Sequence, residues 1–153
     1  MKIQAIYNAI KTYLINSSAF FQAEGVTPLK DSDFYFGVVD LLKKRGAVVC
    51  AIVPDTQNEV DSSEQDDLSG YQEDTQFTVA FICRENKQSV LDENVCSYAE
   101  AFRKAVLTDC SLGGAITGCG IGERKYYFDV GTVEQQMSAV EITFTTRTTT
   151  NIS

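Results

Sequence analysis

The chain has 153 residues, which is about the length of one domain and enough to bury a sizeable core. Its 44% hydrophobic and 22% charged residues are ordinary for a globular protein, and no apolar run approaches the roughly 20 residues that a membrane span needs. Lys and Arg number 13 and Asp and Glu number 21, so the net charge of −8 excludes the basic excess that stable nucleic-acid binding requires. We therefore expect a globular protein that enters no membrane and holds no nucleic acid tightly.

The first helix is predicted by apolar residues at three- and four-residue spacing from Ile3 to Leu14, and we expect it to end near Asn16. A second helix is predicted from about Ser32 to Gly46, with a cap at Asp31 or Ser32 and a stripe formed by Phe34, Val38, Leu41 and Leu42. The run "AVVCAIV" (47–53) is β-branched and apolar, which predicts a strand that is covered on both faces and stopped by Pro54.

The acidic segment that follows contains eight acids between Asp55 and Asp74 and no Lys or Arg. Without them the chain would have 13 acids (21 minus 8) against 13 bases, so the whole charge imbalance lies here. The composition predicts a long solvated loop at about residues 54–74 of a single domain spanning residues 1–153. The acids are candidates for a surface that faces a partner or a channel: Asp55, Glu59, Asp61, Glu64, Asp66, Asp67, Glu73 and Asp74.

Beyond the acidic segment, "TQFTVAFICRE" (75–85) alternates as a strand does, and Asp92 to Leu107 carries an apolar helical stripe formed by Val95, Ala99, Phe102 and Val106. Three further strands are predicted in "AITGCGI", "KYYFDVG" and "SAVEITFTTRTTT", the last with a Thr-rich end that frays. The pattern predicts an α+β fold: a mixed, largely antiparallel sheet of about five strands with three helices packed on it.

The stretch "DCSLGGAITGCGIGER" (109–124) holds five of the ten glycines and invites comparison with a phosphate-binding loop. It fails that comparison because Cys119 and Gly120 stand where the motif needs Lys and Ser or Thr. The order of elements is also wrong, since a helix runs into this stretch and a strand follows it. We interpret the glycines as turn and bulge positions.

Histidine is absent, which removes the commonest general base and metal ligand. The cysteines, Cys50, Cys83, Cys96, Cys110 and Cys119, include no C-x-x-C pair, and the N-terminus lacks a signal peptide, so we expect reduced and mostly buried thiols. "DSSEQDD" from Asp61 lacks the Gly that a calcium loop requires. We expect no catalytic residues, no metal and no cofactor.

The aromatic cluster Tyr126, Tyr127 and Phe128 is interpreted as core and hairpin packing rather than as a base-stacking platform, because only Arg124 and Lys125 accompany it.

From about Thr75 to Arg147 the chain resembles the tail terminator proteins of long-tailed bacteriophages. The signature is "CSYAEAFRKAVLTDCSLGGAI", preceded by the strand "FTVAFIC" and followed by the closing strand "VEITFTTR". In that family an alternating strand leads into a helix that ends in a leucine-containing turn with paired glycines, here Leu112, Gly113 and Gly114. The first half is similar in its two predicted helices and its strand, whereas the acidic segment has no match in the family.

The resemblance implies a structural virion protein whose copies, usually six, form a homo-hexameric ring on the end of the tail tube. Such a ring stops tube growth and presents a surface to neck or head proteins, with assembly in the host cytoplasm and a final place in the virion. Its partners would be itself, the tail tube protein and a neck or adaptor protein, while DNA passes through without specific binding. Acids that face the lumen would keep DNA sliding, and acids that face outward would dock a basic neighbour.

Two other functions remain open. A head-to-tail adaptor or other tail-completion protein shares the size, the acidity and the absence of catalytic motifs, and differs in binding portal or adaptor rings instead of tube subunits. A small cytosolic enzyme or ligand-binding module would use Cys or carboxylates in a pocket, and a thiol of lowered pKa would favour it.

Overall fold

A computed structural model of the chain describes residues 1–38, 46–60, 71–85, 88–132 and 135–150. Its helices are α1 (Ile3–Ile15), α2 (Ser18–Ala23) and α3 (Gln88–Thr108), and its strands are β1 (Phe34–Phe36), β2 (Val48–Glu59), β3 (Tyr71–Glu85), β4 (Gly118–Tyr127) and β5 (Gln136–Thr150). The strands form one sheet in the order β1-β2-β3-β5-β4, in which only the β1–β2 pair is parallel. The predicted α+β class is confirmed, with a mixed and largely antiparallel sheet.

The hydrophobic core lies between the helices and one face of the sheet. Alternate residues of β3 and β5 enter it, because successive side chains of a strand point to opposite faces. Phe102 of α3 is fully buried there, with its ring 5.9 Å from that of Phe81 and 5.2 Å from that of Phe144. The predicted stripe of α3 is confirmed, since Val95, Ala99, Phe102 and Val106 are all buried.

The remaining helices pack on the same core. Ile6, Tyr7, Ile10 and Leu14 of α1 are buried as predicted, and the helix ends at Ile15, one residue before Asn16. The six residues of α2 were not predicted, because a segment this short shows no helical period; it is held by the fully buried Phe21. Two tyrosine hydroxyls tie the layers together by donating hydrogen bonds to backbone oxygens: Tyr13 to Ala105 at 2.6 Å and Tyr98 to Thr27 at 2.8 Å.

The predicted second helix is wrong at its start. Residues 31–33 form one 3-10 turn, after which Phe34–Phe36 pairs in parallel with Cys50, Ala51 and Ile52 of β2. Gly37 has φ = 92°, a left-handed value that no α-helix contains. A strand pairing across the sheet therefore overrides the local apolar spacing, and residues 39–45 of the predicted helix lie outside the described residues.

The predicted acidic loop is shorter than residues 54–74. The strand β2 is buried from Val48 to Ile52, as expected, but it continues past Pro54 to Glu59, and β3 begins at Tyr71. The sheet tolerates Pro54 because a β-bulge lies between Pro54 and Thr56, and β1 pairs with β2 only up to Ile52. Cross-strand pairing thus extends into a segment whose composition alone is typical of a loop.

The strands after the glycine stretch also differ from the prediction. "AITGCGI" and "KYYFDVG" contribute to a single strand, β4, whose register shifts between Ile121 and Arg124. The Thr-rich end of β5 was expected to fray, yet it pairs with β3 as far as Thr150, opposite Tyr71. Thr146 and Thr148 are buried, and β-branched residues favour a strand whose side chains pack on a neighbouring layer. This burial explains why the end of β5 stays paired.

Candidate interaction surfaces

The acidic end of the sheet consists of β2 from Asp55 to Glu59 and β3 from Tyr71 to Gln76. Four of the eight candidate acids lie there, with Asp55 and Glu59 exposed and Glu73 and Asp74 half-buried. The sheet register places Glu59 directly opposite Glu73, a like-charge pair that disfavours the strand pairing. The other four candidates, Asp61, Glu64, Asp66 and Asp67, lie outside the described residues.

A polar network holds this end of the sheet in order despite its charge. The amide nitrogen of Gln57 donates hydrogen bonds to the Glu73 carboxylate at 2.9 Å and to the Thr75 hydroxyl at 3.0 Å. The N-terminal ammonium of Met1 lies 3.4 Å from the same Glu73 oxygen. Glu73 is therefore partly compensated inside the network, whereas Asp55 and Glu59 are exposed, with the Asp55 carboxylate accepting a hydrogen bond from the Gln76 amide at 3.3 Å.

Asp74 makes the strongest ion pair at the acidic end. Its two oxygens accept from Nε and Nη2 of Arg147 on β5, at 2.8 Å and 2.9 Å, in a two-point arrangement. The pair bridges β3 and β5, because the register places Asp74 opposite Arg147. The ion pair therefore connects β3 and β5 at the acidic end of the sheet.

Replacing Asp74 with Asn is expected to lower the free energy of unfolding by about 0.5–1 kcal/mol, because both partners are more than 30% exposed and water screens the pair. The loss should shrink at 1 M salt, where screening acts over about 3 Å. Chemical denaturation at low and high salt measures both values. Glu123→Gln is the matched control, since its 3.8 Å pair with Lys125 is more exposed; an equal loss in the two variants would contradict this account.

The apolar tip lies at the other end of the molecule and consists of Tyr126, Phe128 and Val130. These side chains are 41%, 47% and 49% exposed, and the rings of Tyr126 and Phe128 are 6.0 Å apart. The cluster Tyr126, Tyr127 and Phe128 was interpreted as core and hairpin packing; the core part is wrong, because all three side chains are exposed, while the Tyr126 and Phe128 rings do pack on each other. A cluster of exposed aromatic residues is typical of a protein contact surface.

The acidic end and the apolar tip are separated along β5. Asp74 lies opposite Arg147, and Tyr126 lies opposite Val140, so the two positions are seven residue steps apart along β5. At about 3.3 Å per residue this is roughly 23 Å. The strand β4 forms an edge of the described sheet and runs from Gly118, opposite Arg147, to Tyr126 in the apolar tip. One molecule therefore presents two chemically different surfaces at opposite ends of the sheet.

The glycine stretch forms the turn between α3 and β4, and its backbone donors are already used. The Asp109 carboxylate accepts from the N–H groups of Ser111 at 3.0 Å and Gly113 at 2.9 Å, and from the Ser111 hydroxyl at 2.6 Å. The Ser111 hydroxyl oxygen in turn accepts from the Gly114 N–H at 3.0 Å. The Ser111 hydroxyl, followed by the Gly113 and Ser111 N–H groups, holds the pKa of Asp109 below its usual value. A phosphate would have to displace a carboxylate from these donors, which disfavours a phosphate site.

Positive φ values explain the glycines of this turn. Gly113 and Gly114 have φ values of 75° and 87°, and Leu112 before them has a φ of 52°. Leu112 is only 4% exposed, so its burial in the core offsets the cost of a left-handed leucine. Gly113 and Gly114 are turn residues as predicted, whereas Gly118, Gly120 and Gly122 lie in β4, whose register shifts between Ile121 and Arg124.

Four of the five thiols have a raised pKa. Burial raises the pKa of Cys83 to about 12 and moves that of Cys50 in the same direction. Burial, together with the Cys110 thiol, raises the pKa of Cys119 to about 12, and burial followed by the Asp92 carboxylate raises that of Cys96. A raised pKa lowers the thiolate fraction, so these four lack the activation that a cysteine nucleophile needs.

Within the part of the chain that the structure describes, no three or more Cys, Asp or Glu residues come together as a metal site would require. No helix in the same residues combines the length and apolar character needed to cross a bilayer.

The chain has structural similarity to a chain of the "Virion of native gene transfer agent (GTA) particle". The two share 15% sequence identity, the match covers 92% of each chain, and the TM-score is 0.43. At these values the similarity establishes neither a shared fold nor a shared role. No protein-family model matches the sequence. No curated protein matches it.

Proposed function

We propose that the chain is a structural virion assembly protein that acts as a tail terminator. Copies of it, six in the family it resembles, would form a ring that caps the tail tube, stops its growth and joins it to the neck. It would assemble in the host cytoplasm and remain in the virion. In this role the chain is not an enzyme and needs no cofactor.

The observation that carries the proposal is the pair of separate surfaces on one sheet. A terminator contacts the tube on one side and the neck on the other, and it also contacts its own copies. The acidic end, the apolar tip and the edge of β4 that leads into the tip would offer surfaces for these contacts. Edge strands and exposed aromatic residues are surfaces that self-association commonly covers.

The resemblance in the second half supports the same proposal. The signature residues form α3, which ends in the turn with Leu112, Gly113 and Gly114 and continues into β4. The closing "VEITFTTR" forms the middle of β5, where Ile142 and Phe144 are fully buried. The order strand, helix, glycine turn and closing strands that the resemblance implies is therefore present.

The exposed acids support two orientations in such a ring. If Asp55 and Glu59 line the lumen, their charge repels the DNA phosphates and the DNA slides. If they face outward, they attract a basic surface on a neighbouring protein. The variant Asp55→Asn/Glu59→Gln separates the two: stronger DNA retention in assembled particles supports the lumen, and unchanged retention with weaker partner binding supports the outward orientation.

The first test is the mass in solution of the purified chain, alone and mixed with the tail tube protein encoded beside it. We expect a ring, or a monomer that closes into a ring on tube ends, together with tubes that stop growing in electron micrographs. A monomer that leaves tube length unchanged would overturn the proposal. Binding to portal or adaptor rings instead of tubes would identify the head-to-tail adaptor alternative.

Two variants assign the surfaces in this test. Tyr126→Ser/Phe128→Ser removes the aromatic residues of the apolar tip, and Asp55→Asn/Glu59→Gln removes the exposed charge of the acidic end. Tyr126 and Phe128 are 41% and 47% exposed, and Asp55 and Glu59 are exposed as well, so neither variant should disturb the core. We expect each variant to lose one of the contacts to tube, neck or neighbouring copy and to keep the others.

A further inference from the structure

The sheet has two open edges in the part of the chain that the structure describes. β1 pairs with β2 only from Cys50 to Ile52, so no described strand lies beside the outer side of residues 55–59, which we call the β2 edge. At the other side of the sheet, β4 pairs with β5 alone among the described strands. We call its residues 118–121 the β4 edge. An open edge of this kind is a template for pairing with another chain.

The two edges lie at the same level of the sheet. Gln57 of β2 lies opposite Thr75 of β3. Thr75 in turn lies opposite Thr146 of β5, and Thr146 lies opposite Cys119 of β4. A line drawn straight across the four strands therefore joins the β2 edge to the β4 edge without any stagger.

Both edges also end at one level, that of Phe144 on β5. Pro54, which has no N–H to donate, reaches Phe144 through Phe77 of β3. The register shift of β4 begins at Ile121, which lies directly opposite Phe144. The two stretches that can pair thus match in position.

The backbone groups of the two edges point outward in step. The N–H of Val60 donates to the backbone oxygen of Gln72 at 3.0 Å. Hydrogen-bonded and non-hydrogen-bonded pairs alternate along an antiparallel ladder, so Gln57 turns its N–H and C=O away from β3. The same alternation, followed through β3 and β5, turns those of Cys119 away from β5.

The directions of the strands suit a contact between neighbouring copies. β2 and β5 run the same way because each is antiparallel to β3, and β4 is antiparallel to β5. The two edges therefore run in opposite directions. A copy rotated about an axis along the strands brings its β4 edge antiparallel to the β2 edge of the first copy, with the helix layers on the same side.

The outer face beside the β4 edge has room for the side chains of a neighbouring strand. A groove of about 330 Å³ lies there, lined in part by Gly118, Gly120 and Arg147. A Cβ at either glycine would meet nothing within 4 Å. Thr56 and Asn58 point to this same face of the sheet, so a neighbouring copy would direct them toward the groove.

We propose that neighbouring copies join edge to edge: the β2 edge of one copy pairs antiparallel with the β4 edge of the next, with Gln57 opposite Cys119 and Asn58 opposite Gly118. This inference rests on the proposed function, since it names the contact that closes the proposed ring. Each copy uses two different edges, so the contact repeats from copy to copy and closes on itself. The sheets of the copies then form one continuous circle in which neither edge stays open.

The test links the two edges covalently. Asn58→Cys/Gly118→Cys is made in a Cys96→Ser/Cys110→Ser background, which removes the other exposed thiols. Residues directly opposite in antiparallel strands have Cα atoms about 4.5–5.5 Å apart, which a disulfide spans. Mild oxidation of the assembled ring should therefore give a ladder of linked species above the dimer on a non-reducing gel, and dithiothreitol should return it to monomer.

The control variants fix the register and the type of contact. Asn58→Cys/Lys125→Cys places the second thiol opposite Glu141, six residue steps or roughly 20 Å from the level of Gly118, and should give no ladder. Each single variant should also give none. Dimers of Gly118→Cys alone would mean that two β4 edges pair about a two-fold axis, which would overturn the proposal, as would an equal ladder in the Lys125→Cys control.

Hydrogen exchange of the unmodified chain gives a second readout. Ring formation should slow the amides of Gln57 and Cys119 and leave those of Asn58 and Gly118, which point into the sheet, unchanged. A ring that caps tubes but shows neither the ladder nor slowed exchange would overturn the edge pairing and leave the proposed function standing. A chain that forms no ring would overturn both, and a ladder without tube capping would support the pairing and overturn the terminator function.

Discussion

Replacing Phe102 with Ala is expected to lower the free energy of unfolding by about 3–5 kcal/mol. Phe102 is fully buried at the centre of the helix–sheet interface, between the rings of Phe81 and Phe144. Truncation removes its apolar area from the core and leaves a cavity that the strands cannot fill, because both neighbours belong to the longest ladder of the sheet. Chemical denaturation followed by circular dichroism measures the loss.

Leu107→Ala is the matched control on the same helix. Leu107 is 49% exposed and lies one residue from the end of α3, so we expect a loss below about 1 kcal/mol. Equal losses in the two variants would show that α3 does not pack on the sheet through Phe102.

Replacing Gly131 with Ala is expected to destabilise the connection between β4 and β5 by about 1–3 kcal/mol. A Cβ at Gly131 would overlap the backbone oxygen of Gln135 and lie 2.6 Å from the backbone nitrogen of Met137. These are backbone atoms of a closed turn, in which Thr132 and Gln135 exchange N–H···O hydrogen bonds of 2.9 Å and 3.3 Å. No side-chain rotation can relieve the overlap, so the backbone must shift.

The control is Gly118→Ala, at the first residue of β4. A Cβ at Gly118 meets no atom within 4 Å, so this variant should change stability by less than about 0.5 kcal/mol. Hydrogen exchange of the Val130 and Met137 amides reports the local effect, because Val130 donates to the Met137 oxygen. Slow exchange retained in Gly131→Ala would contradict the steric account.

The sequence predicts the helices that carry their own apolar face. In α1 and α3 the apolar residues that recur at helical spacing, such as Ile10 and Phe102, are the residues that the core buries. Core packing and local propensity therefore favour the same structure in these two helices. The segment at Phe34 fails because its apolar residues also suit a strand, and a partner in β2 decides between the two. That partner is not visible in local spacing.

The candidate surfaces were only partly predictable. The charge run identified Asp55, Glu59, Glu73 and Asp74, but composition could not show that Asp74 is bound by Arg147, which is 73 residues away. The exposure of Phe128, just beyond the end of β4, is not visible in the local sequence, where an aromatic cluster is equally typical of a core.

The length of β5 has a mechanical consequence. All fifteen of its residues pair with β3, and the strand runs from the side of the apolar tip to the acidic end. Antiparallel ladder bonds lie perpendicular to the strand, so a pull between the two ends loads them together in shear rather than opening them one after another. A protein that links two bodies through these ends would transmit tension along its best-paired strand.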